Sequence, residues 1–587
     1  MKSLLRLLPY LKKYRTTLLW GLLTVIISNL FTVATPFFIG RAIDTLKAGL
    51  DAHTLRYSDL LLYAGAIVGF SLVAGMMTYL TRQTIIVVSR LIEFDLRNDF
   101  LAHLQTLPLT FFQNTPTGDL MAHATNDINS VRNVLGPGIM YPADTFMTFS
   151  MALTMMLWSD WSLALVALIP LPLVSYVVYR LGKVIHEKFN ERQAEYSLLT
   201  TRAQENLSGI RVVKAYVREE FEIASFRKLS WSYLKKNLVL AKTQSIMWPL
   251  MYVLVGLSII IAMYIGGLQV ISGKISIGTL TAFFTYLSML IWPMIAFGWV
   301  TNIVQQGAAS MARLGKILDA VPEIRDTDET DRSIIELEGA IDFKNVTFTH
   351  KGAASPTLHE ITLSVPAGTT LAIVGPTGSG KSTLVNLLPR LYEVSEGELL
   401  IDGVDIKKIP IETLRRHIGY VPQETFLFSE TLSANISYGH DNADQELIHE
   451  AAEISQISKD IVEFPKQFDT MLGERGITLS GGQKQRTSIA RAVLRKPRLL
   501  ILDDALSAVD TYTEEAILSR LRRVMASRTS IIISHRISTV KDADLIIVMK
   551  EGRIIERGSH AELVALGGLY AELHFKQLLE KELDEIS

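Results

Sequence analysis

The sequence contains no cysteine, which excludes disulfides, thiolate-bound metal and a cysteine nucleophile and says nothing about compartment. Net charge is missing as well: 58 Lys and Arg stand against 59 Asp and Glu, a balance of −1. A chain so balanced lacks the basic footprint of a nucleic-acid binder. No low-complexity tract or short repeat stands out. Between about 18 and 300 charge itself is scarce and long apolar runs fill the chain, whereas 330–587 has the mixed composition of a soluble α/β domain. At 587 residues the chain has room for several domains. The split in composition predicts a membrane-embedded half followed by a soluble one.

Residues 1–16 carry Lys2, Arg6, Lys12, Lys13 and Arg15 with no acid, and Leu4, Leu5, Leu7, Leu8 and Leu11 recur near helical spacing. This predicts an amphipathic helix at a membrane surface. A signal peptide is disfavoured, because the next apolar stretch, about Thr17 to Gly40, is long enough to span the hydrocarbon core. Further apolar stretches lie near 59–80, 138–159, 161–180, 246–269 and 278–300, for six spans in all. The connections near 158–162 and 269–277 are short and poor in cations, whereas 181–245 is rich in Lys and Arg. The positive-inside rule therefore puts both termini in the cytoplasm. The connections 81–137 and 181–245 are too long for ordinary loops. Their mixed apolar and charged pattern, as in Glu191-Arg192-Gln193-Ala194-Glu195-Tyr196, predicts helices that continue from the spans and meet at turns. Asp144, early in the third span, is either an intramembrane functional carboxylate or an interfacial one. Met147, Met151, Met155, Met156, Met247, Met251 and Met263, with Trp248 and Trp292, either line an adaptable apolar cavity or simply pack.

The charged stretch 318–335 reads as a linker. Beyond it, the strand Thr369–Val374 feeds Gly375-Pro376-Thr377-Gly378-Ser379-Gly380-Lys381-Ser382, a full match to the phosphate-loop pattern. Gly375, Thr377, Gly378, Ser379 and Gly380 let backbone N–H groups close on phosphates at a helix N-terminus, with Thr383 just behind. Lys381 is expected to reach the β- and γ-phosphates and Ser382 to ligate Mg²⁺. The apolar run Leu499-Leu500-Ile501-Leu502 reads as a strand buried on both faces. It ends in Asp503, a second expected Mg²⁺ ligand, and Asp504, placed to orient or deprotonate an attacking water. His535 ends another apolar strand, where it can contact a γ-phosphate. Taken singly, Asp504 also reads as a helix-capping or turn acid and His535 more readily as a structural histidine; with the other motifs in order, the functional role is favoured for both.

The order of six spans, phosphate loop, Leu479-Ser480-Gly481-Gly482-Gln483 and Asp503-tipped strand resembles the ATP-binding cassette exporters with fused membrane and nucleotide-binding halves. The resemblance implies an all-α six-span transmembrane domain with long intracellular helices (1–317), the linker (318–335) and an α/β P-loop nucleotide-binding domain (336–587). It also implies an ATPase, with ATP and Mg²⁺ as cofactors, coupled to export of hydrophobic small molecules from a lipid bilayer such as a bacterial inner membrane. Ser480, Gly481, Gly482 and Gln483 would bind nucleotide held by another chain's phosphate loop. Gln423, in Val421-Pro422-Gln423, would link nucleotide to the membrane domain and help hold Mg²⁺. Ser507-Ala508-Val509-Asp510 and Gly473-Glu474-Arg475-Gly476 would touch neighbouring elements, and the tips 115–123 and 207–214 would be coupling helices.

Two positions depart from the family pattern. His350 stands where a Tyr usually stacks on adenine. Asp504 stands where hydrolysing members carry Glu, and the shorter acid reaches its water less well. An intact signature beside Asp504 implies the slow-site half of a heterodimer, paired with a second half-transporter chain. The alternatives are a homodimeric lipid or drug flippase and an ATP-gated channel or regulator on the same scaffold.

Overall fold

Apolar stretches in the first half of the chain become helices that run well past them. The computed structural model describes residues 2–53, 57–440, 442–473, 476 and 478–586. Glu474 and Arg475, and the side chain of Trp248, lie outside the described residues. Two units divide the chain, Met1–Gln105 with Thr117–Ala320 and Thr106–Pro116 with Val321–Ser587.

In the first unit, five helices among the described residues are long and apolar enough to cross a membrane: Arg15–Asp51, Tyr57–Thr106, Trp161–Ser208, Glu219–Ile271 and Ile277–Leu318. The longest has 53 residues, about 80 Å at ~1.5 Å per residue, far beyond the hydrocarbon thickness. The expected third span also forms a helix, Pro137–Ser159 of 23 residues. It is less apolar than the other five, because Pro142, Asp144, Thr145, Thr148 and Thr154 interrupt its hydrophobic residues. The basic N-terminus is helical from Lys2 to Lys13, a 3-10 helix over Lys2–Leu7 running into an α-helix over Leu8–Lys13. Leu7 is buried and the Ser3 hydroxyl donates to the Ala308 carbonyl at 2.8 Å.

Among the described residues the second unit holds ten strands: β1 (Ile341–Phe348), β2 (Leu358–Val365), β3 (Thr370–Val374), β4 (Glu396–Ile401), β5 (Val404–Asp405), β6 (Ile418–Val421), β7 (Leu499–Asp503), β8 (Thr529–Ile533), β9 (Leu545–Lys550) and β10 (Arg553–Gly558). An antiparallel sheet runs β2-β1-β4-β5, and a six-stranded sheet runs β10-β9-β3-β8-β7-β6. In the larger sheet β9, β3, β8, β7 and β6 are parallel, and only β10 is antiparallel. Every residue of β7 and of β8 is buried, as expected for parallel strands covered on both faces. A separate helical cluster buries Leu427, Ile448, Ile461, Leu472 and Leu494.

The segment Thr106–Pro116 lies in sequence between helices of the first unit but is counted with the second. It carries the short helix Leu109–Asn114. Leu109 packs on the core built from Phe343, Phe348 and Tyr392, and Gln113 donates to the Tyr392 hydroxyl at 2.7 Å. This is earlier in the chain than the tip expected at 115–123.

In the first unit a buried carboxylate ties two helical segments that are distant in sequence. Arg313 donates from Nε to Asp127 Oδ2 at 3.0 Å and from Nη2 to Oδ1, and His123 Nδ1 lies 2.6 Å from Oδ2. Burial pushes the Asp127 pKa up, but hydrogen bonds from Arg313, His123 and Ser310 win and hold it at about 2. The depressed folded-state value means this stabilisation is complete above the ordinary value of 3.8 and is lost as pH falls from there toward about 2. The unfolding temperature of the wild-type chain should therefore drop across that window by more than that of Asp127→Asn. Equal acid sensitivity of the two would refute the assignment.

Candidate functional site

Parallel pairing sets the carboxyl ends of β3, β8, β7 and β6 along one sheet edge, where open α/β sheets bind ligands. The register Leu371↔Ile531 and Ile501↔Ile531 aligns β3, β8 and β7 level with one another. Each of the four strands then delivers one expected group. β3 delivers the phosphate loop, β7 delivers Asp503 and Asp504, β8 delivers His535, and β6 delivers Gln423.

The loop after β3 requires glycine at two places for different reasons. Gly375 has φ +151, and a Cβ there would lie 2.2 Å from the Met549 carbonyl oxygen. Gly380, at φ +93, is the left-handed residue immediately before the helix Lys381–Asn386. Lys381 is buried, and its Nζ donates to the carbonyls of Gly375 and Pro376 at 2.9 and 2.8 Å. Ser382 Oγ donates to Asp503 Oδ1 at 3.1 Å. The Ser379 hydroxyl is buried with no hydrogen-bond partner among the described residues.

Electrostatically the pocket waits for charge of both signs. Burial pushes the Lys381 pKa down, and Asp503 and Asp504 only partly restore it. Burial also pushes Asp503 up, with Asp504 adding to it, against the pull of Ser382, Lys381 and His535. A desolvated ammonium within an amide-rich loop fits an anionic phosphate, and a desolvated carboxylate beside a serine hydroxyl fits a hard, oxygen-seeking cation. The orphaned Ser379 hydroxyl adds a donor aimed at no protein acceptor. The residues therefore fit a nucleotide phosphate with its divalent ion.

Asp504 sits directly after β7, half-buried, with its N–H donating to the Ile533 carbonyl at 2.9 Å. Its φ is +49, in the left-handed region that Asp and Asn visit more readily than longer side chains. His535 is exposed beyond β8, and Gln423 is exposed two residues beyond β6. His350 is half-buried and meets Phe348 and Tyr392 edge-on, with ring centroids at 4.8 and 5.3 Å.

Ser480–Gln483 belong to a different part of the unit. Ser480 caps the 14-residue helix Gly481–Leu494 in a reciprocal box, with Gln483 N donating to Ser480 Oγ at 3.3 Å and Ser480 N to Gln483 Oε1 at 3.0 Å. Gln483 Nε2 donates on to Asp460 at 2.8 Å, so its side chain shapes the turn. Gly481 and Gly482 back onto Ala508, where added Cβ atoms would come within 3.4 and 2.9 Å. Ser480 and Gly481 are exposed, at a helix N-terminus that favours an anion.

Three supporting residues carry no motif and went unread in the sequence. Buried Gln485 donates to the Asp504 carbonyl at 3.3 Å and to Ser507 Oγ at 3.0 Å, and accepts from Ala508 N at 2.9 Å. Arg486 pairs with Asp460, with Nη1 2.6 Å from Oδ2. Gln577, on the helix Leu569–Ile586, donates to the His535 carbonyl at 2.6 Å and accepts from Ile537 N at 2.8 Å. A lone glutamine forty residues from its partner leaves no sequence signal.

Residues 18–294 match the family model described as ABC transporter transmembrane region, and 358–507 match the model described as ABC transporter. The chain is 39% identical over 552 residues to a probable multidrug resistance ABC transporter ATP-binding/permease protein, YheI, of Bacillus subtilis, covering 94% of this chain and 93% of that one. It is 36% identical to the multidrug resistance-like ATP-binding protein MdlA of Escherichia coli, covering 96% and 94%. To an ATP-dependent lipid A-core flippase of Syntrophus aciditrophicus it is 35% identical, covering 99% and 95%. Among solved structures, a bacterial Atm1-family ABC exporter with ATP bound superposes with a TM-score of 0.79 at 29% identity, covering 96% of this chain and 98% of that one. With helices to cross a membrane in one unit and a phosphate-binding sheet edge in the other, the chain belongs to the ABC transporters, as a multi-pass exporter whose ATPase is coupled to transport.

Proposed function

We propose that the protein exports hydrophobic or amphipathic compounds across a bacterial inner membrane as one subunit of a heterodimer, its own ATP site being the slow one. Residues 1–317 would form the membrane domain, with Pro137–Ser159 as a sixth crossing and both termini cytoplasmic. Residues 318–335 would link it to the nucleotide-binding domain, 336–587. The relatives' names, which speak of multidrug resistance and of lipid A-core flipping, support an apolar or amphipathic cargo.

The observation that carries the two-chain reading is the exposed helix N-terminus that Ser480 caps. Among the described residues, Ser480–Gly482 meet Ala508 and their own cap, and the helix N-terminus they form is exposed. That end is suited to the nucleotide of a second chain. In this chain's own site, Gly375–Lys381 would hold the phosphates of ATP, with Thr383 behind them and His350 at the adenine. Ser382, Asp503 and Gln423 would hold Mg²⁺, which supplies charge neutralisation between the phosphates. Asp504 would orient the attacking water, and His535 would bear on the γ-phosphate. Asp is one methylene short of Glu, and a displacement of about 1 Å costs roughly 100-fold in rate.

A second reading rests on the backbone. Asp504 occupies a left-handed conformation in which a short acid is less strained than a long one. On this reading the Asp is a conformational choice, and a homodimer hydrolyses ATP at both sites.

Purification from the native source should yield a second, related chain at equal stoichiometry. This chain alone, with full ATP-driven uptake into inverted vesicles, would support the homodimer instead. ATP-gated flux without accumulation would overturn the export reading. Asp504→Glu should raise hydrolysis at this chain's site at least tenfold, and an unchanged or lower rate favours the conformational reading.

Gln577 grips the backbone on both sides of Arg536 and so would position His535 without touching nucleotide. Gln577→Ala should lower kcat for ATP about tenfold and leave KM within about twofold. The effect should vanish in a His535→Ala background; a loss that persists there would mark a merely structural role.

A further inference from the structure

Two acidic side chains of the first unit, Asp44 and Asp160, are committed to partners. Asp44 accepts from Ser276 Oγ at 2.6 Å and from Gly278 N at 2.8 Å. Asp160 accepts from Leu163 N at 2.7 Å and Ser162 Oγ at 2.7 Å, and pairs with Lys274 at 3.0 Å.

Asp144 differs from both. It stands inside the helix Pro137–Ser159, seven residues from the start and so about 10 Å along it at ~1.5 Å per residue. Among the described residues its side chain accepts one hydrogen bond, from the neutral Asn29 Nδ2 at 2.8 Å. Among the described residues no cationic side chain pairs with it.

Asn29 is held in that pose. Only 3% exposed, it donates also to Val25 O at 3.0 Å, and its Oδ1 accepts from the Thr148 hydroxyl. Both ends of the amide are committed, so its N–H₂ group keeps facing the carboxylate. Asp144 itself is half-buried.

An aromatic pair lies one helical turn away. Tyr141, three residues before Asp144, is on the same helix face. Its ring meets Trp299 edge-on at 5.0 Å, and Trp299 is 46% exposed.

A carboxylate at membrane depth is costly without a counter-charge, and the described residues supply none. One carboxylate with an amide and a hydroxyl is too small a set for a hard metal ion, which wants six or more oxygens. Among the described residues no group of three His, Cys, Asp or Glu gathers to hold one. A carboxylate near a half-buried tyrosine and an exposed tryptophan is instead what an organic cation with an apolar body needs, through charge pairing and ring-face attraction.

We infer that Asp144, posed by Asn29 and Thr148 and flanked by Tyr141 and Trp299, is the anchor for an amphipathic organic cation in the membrane domain. This rests on the export reading for its physiological meaning, because a bound cation would be cargo.

The test measures binding to the purified full chain without nucleotide, by quenching of tryptophan fluorescence. The probes are tetraphenylphosphonium and neutral triphenylphosphine oxide. Asp144→Asn should raise the half-saturating cation concentration at least tenfold and leave the neutral compound within about twofold. Asp144→Glu, which keeps the charge, should bind the cation within about threefold of wild type. Equal weakening of both probes, unchanged cation binding in Asp144→Asn, or no cation binding by wild type would each overturn the site. Cation binding of the expected pattern, with no ATP-driven uptake into vesicles, would leave the site standing and sink the export reading.

Discussion

The level register of three parallel strands is the constraint on which the nucleotide end of this protein depends. β3, β8 and β7 are hydrogen-bonded side by side with aligned ends. Lys381 and Asp503, 122 positions apart in the chain, therefore emerge at one edge, both buried. Burial disfavours the charged form of each, which an anionic ligand and its cation would relieve. A one-residue slip in either pairing would turn the strand's alternate side chains to the other face, and the two groups would no longer converge.

Loops beyond that edge owe their shapes to side chains that touch no ligand. Gln485 binds the Asp504 carbonyl, Ser507 and Ala508 at once, joining the signature helix to the turn after β7. Asp460 ties Gln483 and Arg486, and Gln577 spans the His535 turn. Of the three, Gln485 is buried, and losing its bonds costs roughly 1–3 kcal/mol.

In the membrane half the logic is hydropathy broken by a few polar groups. Five helices are apolar throughout a membrane-length window. Pro137–Ser159 is less so, and the residues that lower its hydropathy include Asp144 and Thr148, which meet Asn29. The polar cluster and the weak span signal have one cause.

Much of this was legible in the residues alone. Apolar run lengths predict membrane helices because lipid offers the backbone no hydrogen bonds. The phosphate loop is legible because its glycines are demanded locally, by φ at Gly380 and by the close approach of Met549 to Gly375. The two-sided burial of β7 shows in its unbroken Leu and Ile. Other features depend on pairing across the chain and left no local mark. The left-handed backbone of Asp504, the grip of Gln577 on the His535 turn, the packing of Leu109–Asn114 with the second unit and the Asn29–Asp144 contact all arise from residues distant in sequence. Sequence determined which chemistry each strand end and each apolar run could carry, because periodicity and glycine geometry are local. Tertiary structure alone decided which of those groups share a desolvated site, because burial and hydrogen-bond partners exist only once the strands and helices have packed.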